Sequence, residues 1–306
     1  MNSNWTNRIR LRNLRFLLNL AQTHNLSHSA AQLHTTQPAL SKWLKELEQD
    51  IGLTLFARHA RGLTPTVHGR VLIGHARRIE AQLERAAADM QILSEGGAGH
   101  VVIGASGGAA TEVGPLAVLE MAARMPELRI DLIEGTMDLL MEKLAQGDLD
   151  IALGRTVDAS DHLPAFCTEI LYSETVDLVT RRGHPLLQQA EIRWDDICTY
   201  QWIVWPAGAP TRKALEDALQ AAGRSLPCNY IESNSVIANV TLLNNSNVIG
   251  TASHRSAKIL SRMDMLRILP LALHGSGSVS MYWRKNELLP DSVAQALDCI
   301  RVAAKS

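Results

Sequence analysis

The sequence predicts an α/β chain in three parts: an all-α winged helix-turn-helix at the N-terminus, a long linker helix, and a C-terminal region of alternating strands and helices. Three observations carry this prediction. Residues 27–53 set two short helices at an angle, the second with a polar leading edge; residues 72–93 hold an apolar repeat with spacings of four and three; and from residue 101 onward short apolar runs alternate with amphipathic stretches.

Leu11 to Thr23 is the first helix, on its stripe of Leu11, Leu14, Leu17, Leu18 and Ala21. In the next, Ala30 and Ala31 are small enough for another helix to cross closely, Leu33 plugs the end, and His34 and Thr35 form the turn. Thr36 can cap the third helix by accepting from a free amide, and Pro38 falls in its first turn, where a missing N–H does no harm. Leu40, Leu44, Leu47 and Ile51 recur at i, i+4, i+7 and i+11, which turns Gln37, Ser41, Lys42 and Lys45 outward.

Gln can pair bidentately with adenine, Ser and Lys can reach base edges or phosphates, and the N-terminal residues of such a helix are those that enter a major groove. Thr36, Gln37, Pro38, Ser41 and Lys42 are therefore the leading DNA-contact candidates, with Ser27, Thr35 and Lys45 beside them. A solvated polar face is the alternative for any single amphipathic helix, but here a helix precedes and a basic strand pair follows. That pair, GLTLFARHARGLTPTVHG, turns near Gly62 and offers Arg58 and Arg61 to phosphates or a minor groove, unless they are simply exposed hairpin arginines.

Charge distribution supports a double-stranded DNA partner although the whole chain is at −1. Residues 1–70 hold nine Lys or Arg against three Asp or Glu, and residues 101–306 hold 18 against 24, so the positive charge is confined to the N-terminal end.

Thr64 and Pro65 read as N-cap and first position of a helix running to about Ser94. Leu72, Ala76, Ile79, Leu83, Ala86, Met90 and Leu93 form a heptad seam, and Arg77, Arg78, Glu84, Arg85 and Asp89 charge the other side. With no neighbouring helix in sequence to cover it, the seam predicts a homodimer, which suits inverted DNA half-sites. The glycines of EGGAGH, residues 95–100, end the helix.

Beyond it, VVIGAS, LRIDLIEG and LDIALGR read as strands, with helices over Val113 to Met125 and Met137 to Gln146 between them: successive βαβ units on a parallel sheet. The pattern continues with the strand Glu174 to Thr180, WIVWP, a helix Lys213 to Ala222, YIES, a helix from Val236, VIGTA, SVSMYWR and a helix Asp291 to Ala304. In open α/β sheets ligands sit beyond the carboxyl ends of the strands. That rule selects Ser106, Gly107 and Gly108, then Thr136 and Met137, Arg155, the stretch from Trp205 to Thr211, and Asn234 with Ser235. Hydroxyls, a glycine pair and adjoining helix N-termini would receive a small anion. The alternatives are helix caps for Ser106 and Thr136, a hinge salt bridge for Arg155 and core packing for Trp205.

The run LRFLLNLAQTHNLSHSAAQLHTTQPALSKWLKELEQDIGLTLFARHARGLTPTVHG resembles the N-terminal domain of LysR-type transcriptional regulators, with AAQL, QPALS, LEQDIG and LFAR in the family's order. The resemblance is strong over residues 9–69 and architectural beyond. It implies a transcription regulator, active as a dimer or homotetramer, with RNA polymerase as a partner and a small-molecule effector. It also implies a periplasmic-binding-protein-like effector domain of two subdomains. The domains are then 1–69 (DNA binding), 70–95 (dimerising linker) and 96–306 (effector), the last divided into 96–170 with 275–306 and 171–274. The resemblance supports Ser106 and Thr136 as effector contacts. Gly108 departs from it, standing where many relatives carry a hydroxyl, as does Trp43, where they more often carry a polar side chain; Trp43 either thickens the helix packing or faces the DNA backbone.

No nucleophile–base order, metal motif or phosphate loop is present, so neither an enzyme nor a bound cofactor is expected. Cys167, Cys198, Cys228 and Cys299 form no CxxC and read as inert thiols, a Cys198–Cys228 redox pair being the alternative. The seven histidines of residues 1–100 show no metal spacing. No stretch reaches the roughly 18 apolar residues of a membrane span, and no basic N-terminal segment leads an apolar run, so a cytoplasmic protein is expected.

Overall fold

A computed structural model describes residues 5–59, 62–155, 165–285 and 289–305. The chain divides into two compact units: Met1–Glu95 with Ala145–Asp148, and Gly96–Leu144 with Leu149–Ser306.

In the first unit, α1 (Leu11–Thr23), α2 (Leu26–Gln32) and α3 (Gln37–Ile51) enclose a core of Leu14, Leu17, Leu20, Ala30, Leu40, Leu44 and Leu47. Asn25 caps α2, its Oδ1 accepting from Ser27 N at 2.9 Å and His28 N at 3.0 Å. Thr36 caps α3 as expected, its hydroxyl accepting from Ala39 N at 3.4 Å, and Pro38 lies in the first turn. His34 takes the left-handed conformation, φ 50°, in the turn between α2 and α3.

The wing is β1 (Phe56–His59) paired antiparallel with β2 (Gly62–Pro65). Glu48 ties it to α3: its Oε1 accepts from Leu55 N at 2.7 Å and Phe56 N at 3.0 Å. The expected helix start at Thr64 and Pro65 is corrected, since both belong to β2, opposite Ala57 and Phe56. Thr66 caps α4 (Val67–Ser94) instead, accepting from Gly69 N at 3.0 Å and donating to Thr54 O at 2.7 Å. The cap competition within Thr64–Pro65–Thr66 is settled by strand pairing, which has already claimed the first two. Along α4, Ala76 and Ile73 are buried, whereas Ile79, Leu83 and Met90 are 43%, 45% and 67% exposed within the chain.

The second unit is built on a six-stranded sheet in the order β4-β3-β5-β10-β6-β9. Its parallel part joins β3 (His100–Ala105) to β4 (Arg129–Glu134) and β5 (Ile151–Gly154), with α5 (Gly114–Arg124) and α6 (Met137–Gln146) between them. A turn of π-helix, Ala109–Val113, precedes α5, so helical winding begins four residues before the expected Val113.

The parallel βαβ units expected over β3, β4 and β5 are present; beyond them the sheet is completed by two long strands, β6 (Phe166–Thr180) and β10 (Arg267–Arg284), which pair antiparallel along their lengths. One apolar core gathers Val101, Ile103, Ala117, Met121, Ile151 and Met281 with α11 (Asp291–Lys305). A second gathers Val176, Leu178, Leu186, Trp202, Leu215 and Ile249. The connection between β6 and β10 forms that second lobe: α7 (Trp194–Ile197), β7 (Ile203–Val204), α8 (Pro210–Ala221), β8 (Ile231–Glu232), α9 (Val236–Asn244), β9 (Gly250–Ser253) and α10 (His254–Arg262). Helix α8 starts three residues before the expected Lys213 because Pro210 fits its first turn. Among the described residues no helix is long and apolar enough to cross a membrane.

Candidate nucleic-acid interface and ligand cleft

In the first unit, Thr36, Gln37 and Pro38 lie exposed at the start of α3, and Lys42 and Lys45 lie exposed along it. Ser41 is half-buried and accepts a hydrogen bond from Arg58 Nη2 at 3.2 Å, which draws the wing arginine onto the outward face of the helix. Lys42 Nζ stands 3.8 Å from Glu46 Oε1, an exposed pair that leaves the ammonium free to exchange partners. Ser27 is exposed at the first turn of α2 and Thr35 is half-buried in the turn; Arg61 lies outside the described residues. Of the two readings of Trp43, packing holds: it meets Phe16 edge-on at 5.2 Å between ring centroids.

In the second unit a cleft of about 1000 Å³ opens between the two lobes. Ser106, Gly107, Gly108, Thr136, Met137, Arg155, Trp205, Thr211, Asn234 and Ser235 all line it. The Ser235 hydroxyl is used locally, capping α9 through Ala238 N at 3.2 Å. Among the described residues neither the Ser106 nor the Thr136 hydroxyl makes such a cap, so both remain available to the cleft. Of the two tryptophans in WIVWP, Trp202 is the core residue; Trp205 is half-buried, lines the cleft and is held by Nε1 donating to Thr251 O at 2.9 Å. Arg155 makes no ion pair among the described residues; burial pushes its guanidinium below the usual value, against the negative charge of Glu174.

Sequence reasoning missed the most buried charge of the cleft. Glu174, on β6, is only 7% exposed, accepts from Arg255 N at 3.2 Å and is hydrogen-bonded to Ser253. Burial raises its carboxyl above the ordinary range, while those hydrogen bonds and the charges of Arg255 and Arg155 oppose the rise. A side chain at Gly108 would meet this group, since a Cβ there would lie 2.6 Å from both Glu174 Oε1 and Ser253 Oγ. Asn239 and Thr251, also missed, line the cleft with buried oxygens that have no hydrogen-bond partner among the described residues. The only sequence signal for these residues is polarity inside otherwise apolar segments.

Side-chain hydrogen bonds from α10 join the lobes. Arg255 donates from Nη1 to Glu112 Oε2 at 2.9 Å and from Nη2 to Ala304 O at 3.1 Å, and the Ser256 hydroxyl meets Thr111 Oγ1 at 2.9 Å.

Residues 11–70 match the model of the bacterial regulatory helix-turn-helix proteins of the lysR family, and residues 94–305 match the LysR substrate binding domain. The HTH-type transcriptional regulator GbpR of Azospirillum brasilense is 32% identical over 97% of this chain and 87% of its own length. GalR of Pseudomonas putida, another HTH-type transcriptional regulator, is 31% identical over 95% of this chain and 73% of its own. Among solved structures, the LysR family regulator CbnR shares the fold, with a TM-score of 0.67 at 19% identity, covering 97% of this chain and all of that one. Full-length CbnR has also been solved in complex with its target DNA.

Proposed function

The chain belongs to the LysR family of transcriptional regulators, joining a DNA-binding helix-turn-helix domain to an effector-binding domain, and on that premise we propose how its residues divide the work. Residues 1–69 read DNA, with Gln37 and Ser41 at base edges and Thr36, Lys42, Lys45 and Arg58 toward phosphates. Residues 70–95 dimerise through the exposed seam of Ile79, Leu83 and Met90, two dimers form a homotetramer, and the assembly acts on promoter DNA in the cytoplasm with RNA polymerase as partner. Residues 96–306 take a small molecule whose acid group sits at Ser106 and Thr136, close to Arg155.

One observation carries this reading: two hydroxyls that cap no helix and an arginine that makes no ion pair among the described residues meet in one large cleft, beside buried polar atoms that lack partners among those residues. Ligand and DNA then each favour one quaternary state, so the coupling between them is reciprocal. The redox alternative has less support. Burial pushes the thiols of Cys198 and Cys299 upward, away from the reactive thiolate, and Cys167 is half-buried. Thermal-shift screening of the full chain against small carboxylates, sulfonates, sugar acids and aromatic acids tests the cleft. A ligand that raises the melting temperature of the wild type but not of Ser106→Ala supports it; one equally effective on both variants refutes it.

A further inference from the structure

We propose that the effector of this cleft is a zwitterion, with a protonated nitrogen at Glu174 and an acid group at Ser106, Thr136 and Arg155. The inference rests on the cleft reading above and specifies its ligand class.

Glu174 stands at the start of the polar cradle. Its carboxylate fills the space beside Gly108 where a side chain would otherwise lie, within 2.6 Å of a Cβ position there. A ligand carrying only negative charge would meet a like charge at this point. Arg155 supplies the opposite sign within electrostatic range of Glu174, yet the two form no ion pair. Of the four charged side chains among the described residues that line the cleft, Glu134 and Asp138 are exposed to solvent, whereas Arg155 is half-buried and Glu174 buried; a molecule bearing separated charges of its own satisfies these two desolvated groups.

The surrounding polar atoms fit the same ligand. In the register of β6 against β9, Val176 faces Ser253 and Leu178 faces Thr251; with side chains alternating along each strand, Glu174, Ser253 and Thr251 share one side of the sheet. Among the described residues Thr251 Oγ1 is buried without a partner, as is the acceptor Oδ1 of Asn239 on α9 in the same lobe. An ammonium brings three donors and no acceptor, matching the Glu174 carboxylate and the Asn239 carbonyl oxygen, with the Thr251 hydroxyl able to accept as well, whereas a second acid group would bring acceptors to the first two. Val176, Val240, Leu243, Leu260 and Leu266 also line the cleft and give it apolar surface for the body of such a ligand.

Calorimetric titration of the full chain with the twenty L-amino acids, β-alanine and 4-aminobutanoate tests this, each hit being paired with the acid of the same skeleton that lacks the nitrogen. At least one amino acid should bind, and removing its nitrogen should weaken binding by about tenfold or more, the scale of a charge-assisted hydrogen bond. Glu174→Gln should cause the same loss for the amino acid while leaving the nitrogen-free acid nearly unchanged. Gly108→Ala, whose methyl displaces the carboxylate, should act in the same direction and serves if Glu174→Gln does not fold. Nitrogen-free acids binding as tightly as their amino partners, or no amino acid of the set binding, would overturn the zwitterion. If those acids still bind and respond to Ser106→Ala, the cleft reading survives; binding of either class unaffected by both Ser106→Ala and Thr136→Ala would remove the cleft reading itself.

Discussion

Arg255 on α10 holds Glu112 across the effector domain, Nη1 to Oε2 at 2.9 Å, while its guanidinium carbon lies 3.9 Å from the ring centroid of Tyr172. The pair is largely shielded, with side chains 24% and 20% exposed. Arg255→Ala leaves Glu112 without its counter-charge and removes the contact to Tyr172. Urea unfolding should show a loss of about 2–3 kcal/mol, below the full cost of breaking a wholly buried pair. A loss within the scatter of a surface substitution would mean that the link contributes little to joining the lobes.

Glu174 carries a signed pH dependence. Its folded carboxyl is held above the ordinary value chiefly by burial, against the Arg255 amide, the Ser253 hydroxyl and the charges of Arg255 and Arg155; Tyr172 and Glu112 are the other ionisable groups nearby. Between its unfolded and folded values the unfolded chain has released the proton while the folded chain retains it, so stability falls as pH rises through that window. Glu174→Gln should therefore melt higher than wild type at neutral pH, with the advantage closing as pH falls to the ordinary carboxylate value. An advantage constant from pH 4 to pH 8 would contradict the assignment.

At the DNA end, Gln37 and Lys42 should differ in kind. Gln37→Ala should relax discrimination at one base position by about 1–3 kcal/mol, read across a panel of operator variants. Lys42→Ala should weaken binding to every sequence and flatten its salt dependence. Unchanged discrimination in the first variant would remove Gln37 from the base-reading set.

The seam on α4 predicts that Leu83→Asp, which sets a charge among residues exposed in the single chain, yields monomers in sedimentation where the wild type yields dimers or larger assemblies. A dimer unaffected by the change would place the interface elsewhere.

Much of this architecture is legible in sequence because it is local. The cap at Thr36, the stripe Leu40–Leu44–Leu47–Ile51 and the ends of α1 follow from spacing and side-chain type alone. The ten strand-tip residues assigned to the cleft do line it, since a strand followed by a helix leaves its tip at one edge of the sheet. Strand direction is another matter. An apolar run reads the same in either sense, so the antiparallel pairing of β6 with β10 emerges only once residues about a hundred apart in sequence have met. Glu174 was invisible for the same reason: within SETVDLVT it resembles a solvent-facing position, and its burial comes from strand neighbours distant in the chain. The helix α10 escaped because SHRSAKILSR is polar on average and follows β9 without a glycine or proline to mark the change.

The most direct test of the central claim, that a ligand in the cleft governs DNA binding, is DNase I footprinting of the full chain on fragments selected from genomic DNA. It should be done with and without a ligand found by thermal shift, for the wild type and Ser106→Ala. The ligand should alter the wild-type footprint, while Ser106→Ala gives the ligand-free footprint under both conditions. A Ser106→Ala footprint that shifts with ligand as the wild type does would contradict it.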